Sequence, residues 1–113
     1  MSKIIEYLKD TKCEHTAHLA GFKRVFVNFS DTESNLTQLA YGELKPGEVV
    51  EDHIHPTMEE FFFFLKGNGT YTIDSSAYNI KPNTFIRIPP NVKHSLEVEG
   101  IECLVFIYFG IGL

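Results

Sequence analysis

The chain has 113 residues, of which 43% are hydrophobic and 22% are charged, which predicts one globular domain, 1–113. Its net charge of −5 argues against nucleic acid and anionic membrane as partners, because both attract basic surfaces. The longest apolar run, Cys103–Phe109, is too short to span a bilayer, and Met1–Asp10 lacks the apolar core of a signal peptide, so a cytoplasmic location is predicted.

The first predicted element is a short helix within Ser2–Lys12, where Ile4, Ile5 and Leu8 have helical spacing. The rest of the chain is β-like, because short apolar runs alternate with turns rich in Gly, Pro and Asn. Nine strands are predicted: Lys23–Phe29, Leu36–Leu44, Val49–Ile54, Glu60–Lys66, Gly69–Ile73, Ala77–Ile80, Thr84–Ile88, His94–Val98 and Ile101–Phe109. Such closely spaced strands predict an all-β sandwich or barrel with its core over about residues 22–113.

The segment 47–60 holds two histidines two residues apart, followed by a carboxylate, in β-type sequence. A strand points residues i and i+2 to the same face, so His53 and His55 aim both imidazoles into one cavity. A third histidine, His94, follows the turn-rich stretch 88–93. Imidazole and carboxylate together suit zinc, iron, nickel, copper and manganese. The pattern therefore predicts an open metal site with three imidazoles and one carboxylate.

These residues resemble the first motif of the cupin superfamily, in which Gly and His-x-His precede a Glu and a second Gly at fixed spacings. The motif is matched at every position: Gly47, His53, His55, Glu60 and Gly67. Glu59 fits a shorter His-to-Glu spacing, but only Glu60 keeps six residues before Gly67. The resemblance covers about Thr37 to the C-terminus and implies a small jelly-roll β-barrel.

The second cupin motif is matched less completely, at Pro89 and His94. Asn83 and Asn91 replace its two glycines, and Val98 replaces its final Asn. Asn is the non-Gly residue that best tolerates a positive φ, so the turns are expected to persist.

The resemblance implies one divalent ion per chain, with iron, manganese, nickel, zinc and copper as candidates. Its implied ligands are His53, His55, Glu60 and His94. Ionisable groups buried in a barrel without a partner are costly, and a bound metal removes that cost. His15 and His18, in the loosely patterned N-terminal part, are interpreted as surface or structural residues.

If Glu60 faces the metal, alternation along its strand places Phe62 and Phe64 on the same inner face, as core and pocket wall. The opposite face carries three further apolar side chains: Phe61, Phe63 and Leu65. A solvent-facing strand would alternate with polar residues, so either the N-terminal segment or a second subunit must cover this face. The sequence therefore predicts a homodimer, with the N-terminal segment as the competing cover.

An open site of this kind can polarise a carbonyl or enediol, or bind O₂ if the metal is iron. We therefore predict an enzyme acting on a small oxygenated molecule: a sugar-acid isomerase or tautomerase, a lyase, or a dioxygenase. Gln38 and Arg87 are weak candidates for substrate contacts. Two alternatives stay open, a non-catalytic module that binds or senses a small ligand and a structural barrel with vestigial ligands.

Overall fold

A computed structural model describes residues 3–16 and 20–113, so His18 lies outside the described residues. It contains ten strands: β1 Cys13–His15, β2 Phe22–Asn28, β3 Leu36–Leu44, β4 Val49–His53, β5 Met58–Lys66, β6 Asn68–Ile73, β7 Ser76–Ile80, β8 Phe85–Ile88, β9 His94–Glu99 and β10 Leu104–Gly112. The nine predicted strands are all present, with ends displaced by three residues at most, and β1 is additional. The predicted all-β architecture is confirmed.

The strands form two antiparallel sheets. The larger sheet has the order β1-β2-β3-β10-β5-β8, and the smaller has the order β4-β9-β6-β7. Buried apolar side chains from both sheets, among them Phe64 and Leu104 on the larger and Tyr71 and Leu96 on the smaller, form one core. The core therefore lies between the two sheets.

The predicted N-terminal helix is a single 3-10 turn, Leu8–Asp10, within the described part of that segment. Ile4 and Ile5 are 98% and 76% exposed, so these side chains cover no other part of the chain. So short a helix is not stable alone in water and needs an apolar face packed against the protein, which this segment lacks. Among residues 3–16 and 20–113, no helix is long and apolar enough to cross a membrane.

Strand β5 places alternate side chains on its inner and outer faces, as the sequence predicts. Glu60 and Phe64 face inward, at 9% and 0% exposure, whereas Phe63 and Leu65 face outward and are each 41% exposed. β10 and β8 flank β5 on its two sides, and Glu60 is the register partner of both Gly110 and Ile88. This register holds the carboxylate of Glu60 against the inner side of the larger sheet.

Two turns adopt the positive φ that the sequence predicts for asparagines in place of glycines. Asn83 has φ +70° and Asn91 has φ +65°. The second of these turns connects β8 to β9, and the backbone N–H of Asn91 donates a hydrogen bond to the backbone carbonyl of His55 at 3.0 Å. The turn therefore ties the loop that carries His55 to the chain that leads into His94.

Candidate metal centre

Four side chains with metal-binding atoms meet at one end of the space between the sheets. His53 ends β4 and is the register partner of His94, which begins β9. His55 follows two residues after His53, and Glu60 reaches the same place from β5. The potential ligand atoms of these four residues all lie within 4.8 Å of one another. The structure thus brings together the complete set of predicted ligands in an arrangement that could hold a metal ion.

His94 is the most informative member of this group because its side chain is only 1% exposed. Its Nδ1 lies 2.9 Å from the Val92 carbonyl oxygen, which can only accept a hydrogen bond, so Nδ1 carries the proton. In the neutral imidazole Nε2 then presents a lone pair, and it forms no hydrogen bond among the described residues, although Oε1 of Glu60 lies 3.4 Å away. A buried polar atom without a partner is costly, and a metal ion at this position would satisfy it. The donor set thus fits a metal ion.

His53 is oriented in the same way. Its Nδ1 lies 2.8 Å from the carbonyl oxygen of Glu51, so Nδ1 is protonated and Nε2 is the nitrogen suited to ligation. Burial has the largest effect and lowers the pKa of His53. The hydrogen bond to the Glu51 carbonyl raises this pKa by less, His94 and His55 lower it, and Glu60 raises it. The imidazole is therefore held in the neutral form that metal binding requires.

Glu60 supplies the carboxylate of the cluster. Its Oε1 lies 3.2 Å from Nε2 of His55 and 3.4 Å from Nε2 of His94. Oε1 of Glu60 thus lies close to the Nε2 atoms of His55 and His94, which are the nitrogens that would coordinate a metal ion. The adjacent Glu59 points to the other face of the sheet, where it forms an ion pair with Arg87. Alternation along β5 therefore assigns the two neighbouring carboxylates to different environments.

The cluster borders a cavity of about 230 Å³. Its lining includes His53, His55 and Glu60 together with aromatic and aliphatic side chains, whereas His94 lies behind them. Phe62 lines the cavity, and Phe64 is fully buried in the core beneath it. A liquid water molecule takes about 30 Å³, so the cavity has room for about eight groups of that size. Such a concave, mostly apolar space beside polar ligands has the character of a small-molecule site.

The two weak candidates for substrate contacts lie in different places. Gln38 lines the cavity. Arg87 lies on the outer face of the larger sheet, paired with Glu59, and is not among the cavity residues. Sequence reasoning missed several polar residues of the cavity wall, among them Lys23 and Tyr108. The strand period could have identified Lys23, because it lies two residues before the apolar Val25, which is buried, and residues i and i+2 of a strand share a face.

Tyr108 enters the cavity from β10, where its ring stacks on Phe62 with centroids 5.6 Å apart. Burial raises the pKa of Tyr108 to about 12, with a further rise from Glu60 and a lowering by a hydrogen bond from Gln38. The phenol is therefore protonated at neutral pH and can donate its proton in a hydrogen bond.

The family model of the Cupin domain matches residues 40–109. Among curated proteins, the dimethylsulfoniopropionate lyase DddW of Ruegeria pomeroyi is 32% identical over 85 residues, which are 75% of this chain and 55% of that protein. Its similarity to this chain therefore extends beyond the motif residues.

Solved structures show the same fold. A predicted oxalate decarboxylase of Thermotoga maritima superimposes with a TM-score of 0.89 at 20% identity, over 97% of this chain and 100% of that one. The oxalate decarboxylase of Bacillus subtilis, which has Mn(II) centres, gives a TM-score of 0.78 at 20% identity, over 99% of this chain and 30% of that one.

The family match covers more than half of the sequence and includes all four residues of the candidate metal centre. The chain therefore belongs to the cupin family. It spans little more than half of the DddW sequence, so the activity of that whole protein is not transferred by similarity alone.

Proposed function

We propose that this cupin binds one divalent metal ion through His53, His55, Glu60 and His94 and acts as an enzyme on a small oxygenated molecule. The observation that carries the proposal is the buried Nε2 of His94, which has no hydrogen-bond partner among the described residues and faces the other three ligands. A purely structural histidine at this depth would be expected to have both nitrogens satisfied. The cavity beside the ligands supplies the space for a substrate.

When bound, the metal would supply Lewis acidity toward a carbonyl or enediol oxygen, or an O₂-binding centre if it is iron. The protein would orient the substrate through the cavity wall. Phe62 and Phe106 exclude water from one side, while the protonated phenol of Tyr108 can donate a hydrogen bond to a substrate oxygen. Isomerisation or tautomerisation of a sugar acid, lyase chemistry and dioxygenation are the three candidate reactions. The similarity to DddW, a lyase, favours the second of them.

Metal analysis of protein purified anaerobically is the first test. We expect about one divalent ion per chain, and reconstitution with Mn²⁺, Fe²⁺, Ni²⁺, Zn²⁺ or Cu²⁺ should restore it after chelation. His55→Ala should remove most of the metal from a folded protein. The reconstituted forms would then be assayed for O₂ uptake and product formation with catechols, diketones and uronates. Failure of all five ions to bind would disprove the proposal, and metal binding without turnover would favour a non-catalytic ligand-binding module.

We also infer that the chain forms a homodimer through the outer face of the larger sheet, defined by these side chains: Phe61, Phe63, Leu65, Phe85, Ile107 and Phe109. Phe61 stacks on Phe109 with centroids 4.8 Å apart, and Phe85 is 61% exposed. Burying one Phe contributes roughly 1.5–3 kcal/mol, so covering this face would stabilise a dimer substantially. Phe63, Leu65, Phe85 and Ile107 stay exposed in the presence of the described N-terminal residues. The cytoplasmic location stays a prediction from the sequence.

A further inference from the structure

A lysine lies in the wall of the cavity. Lys23 is on β2, and it is the only Lys or Arg among the described residues that line the cavity. Its register partner on β3 is Gly42, and a Cβ at that glycine would lie 2.5 Å from the ring of Phe106. Because Gly42 has no side chain, the Phe106 ring can pack against the β3 backbone at the position opposite Lys23.

The ammonium of Lys23 is not neutralised by a carboxylate. Nζ donates a hydrogen bond to Oε1 of Gln38 at 2.9 Å, and within residues 3–16 and 20–113 no ion pair to Lys23 is formed. Glu14 is its register partner on β1, but their charged groups do not come into contact. A lysine with a purely structural role would more commonly extend its ammonium into water or pair with an acid.

Gln38 connects Lys23 to Tyr108. Its amide oxygen accepts from Lys23, and the pairing of β3 with β10 places Gln38 and Tyr108 on adjacent strands, where both line the cavity. The amide nitrogen of Gln38 offers two further N–H donors. The phenol keeps its own proton for another acceptor, and the ammonium keeps two further N–H groups. Three neighbouring side chains thus offer donors, and none of them carries negative charge.

We propose that Lys23, Gln38 and Tyr108 form a subsite for a substrate carboxylate, placed in the same cavity as the metal ligands. This inference rests on the proposed function, because it specifies the substrate class of that site. The substrate is then a small organic acid with a second oxygen group that reaches the metal. One ammonium matches one carboxylate charge, and a cavity of about 230 Å³ has room for a molecule of a few carbon atoms.

Isothermal titration calorimetry tests the subsite without an assay of turnover. The Mn²⁺-loaded protein would be titrated with acetate, glycolate, malonate, succinate and glutarate, each compared with its uncharged amide. We expect at least one acid to bind about tenfold or more tightly than its amide. Lys23→Met should remove that preference, while Lys23→Arg should keep most of it. Lys81→Met, which removes an exposed cation outside the cavity, is the control for net charge and should behave as wild type.

The outcomes separate the subsite from the metal centre. Mn²⁺ affinity is measured first for every variant and should be the same in Lys23→Met as in wild type. If Mn²⁺ binds but no acid is preferred over its amide, or if Lys23→Met keeps the preference, the subsite is disproved and the metal proposal stands. If Mn²⁺ fails to bind but the metal-free protein shows a preference for an acid that depends on Lys23, the metal proposal fails and the subsite stands.

Discussion

The two faces of β5 carry similar side chains in very different surroundings. On the inner face, Glu60 belongs to the candidate metal centre, Phe62 lines the cavity and Phe64 packs in the core. The outer face holds Glu59, Phe61, Phe63 and Leu65, of which the last two remain 41% exposed. The chain therefore covers its inner face with its own residues, whereas Phe63 and Leu65 on its outer face stay partly exposed to solvent.

A strand has a side-chain period of two, so a register slip of one residue would exchange these faces. Glu59 would then point toward the histidines, and Glu60 would point toward Arg87. The pairing of Glu60 with Gly110 and Ile88 prevents this exchange. Residues that differ by one position in sequence can therefore be used to compare the two faces directly.

The largest expected difference is in stability. Phe64→Ala removes a ring with 0% exposure from the core and should lower the free energy of unfolding by about 3–5 kcal/mol. Phe63→Ala removes a ring that is 41% exposed in the single chain, so at concentrations where the protein is monomeric it should cost at most about 1–2 kcal/mol. Urea denaturation followed by circular dichroism measures both. Equal losses would show that the outer face is packed as tightly as the core.

The second difference is in metal affinity. Glu60→Gln removes a charged ligand and should weaken Mn²⁺ binding by more than the roughly 10–100-fold that loss of an outer-shell contact costs. Glu59→Gln is the matched control, because it changes the same group on the opposite face and breaks only the pair with Arg87. Calorimetric titration with Mn²⁺ compares them. A similar loss in both variants would indicate that the effect comes from net charge and not from ligation.

These two faces also show how far sequence carries the prediction. The alternation of Glu60, Phe62 and Phe64 against Phe61 and Phe63 follows from the strand period, and the structure confirms which set is buried. The cluster of His53, His55, Glu60 and His94 follows from the family spacing. Asn83 and Asn91 adopt the turn conformation expected of them. Local periodicity and short motifs therefore fix both the strands and the ligand set.

Features that depend on contacts between distant strands were missed. The cavity wall joins Lys23 on β2 to Gln38 on β3 and Tyr108 on β10, and no local pattern indicates that these residues meet. The N-terminal helix was predicted from the spacing of Ile4 and Ile5, but spacing does not supply a surface for them to pack on. Such contacts depend on the order of the strands in the sheet, and this order cannot be predicted from the sequence of a single strand.

The third difference is in self-association. Phe63→Glu introduces a charge into the outer face and should weaken dimerisation by at least tenfold, because a buried charge without a partner is unfavourable. Sedimentation equilibrium at micromolar concentration measures this, and Mn²⁺ affinity should stay unchanged because the residue does not border the cavity. Phe29→Glu is a matched control, since Phe29 is 73% exposed and lies outside this face. A wild-type protein that is monomeric would disprove the dimer.

The smallest expected difference is in the response to pH. Burial lowers the pKa of His53 in the folded protein, while its unfolded value is about 6.5. Between the two values the unfolded chain binds more protons than the folded chain, so stability rises with pH. The contribution of His53 is complete above about pH 6.5 and is lost as the pH falls through the folded pKa. Because His53 is only half-buried, the effect should be modest.

Urea midpoints of the metal-free protein, measured with a chelator from pH 5 to pH 8, test this response of the inner face. The midpoint should increase with pH, and His53→Gln should reduce that increase. Phe61, Phe63 and Leu65 have no titratable groups, so the dimer dissociation constant should change less over the same range. If His53→Gln leaves the pH dependence of the midpoint unaltered, the imidazole is not desolvated at the cluster. A pH dependence confined to dimerisation would locate the sensitive groups on the outer face instead.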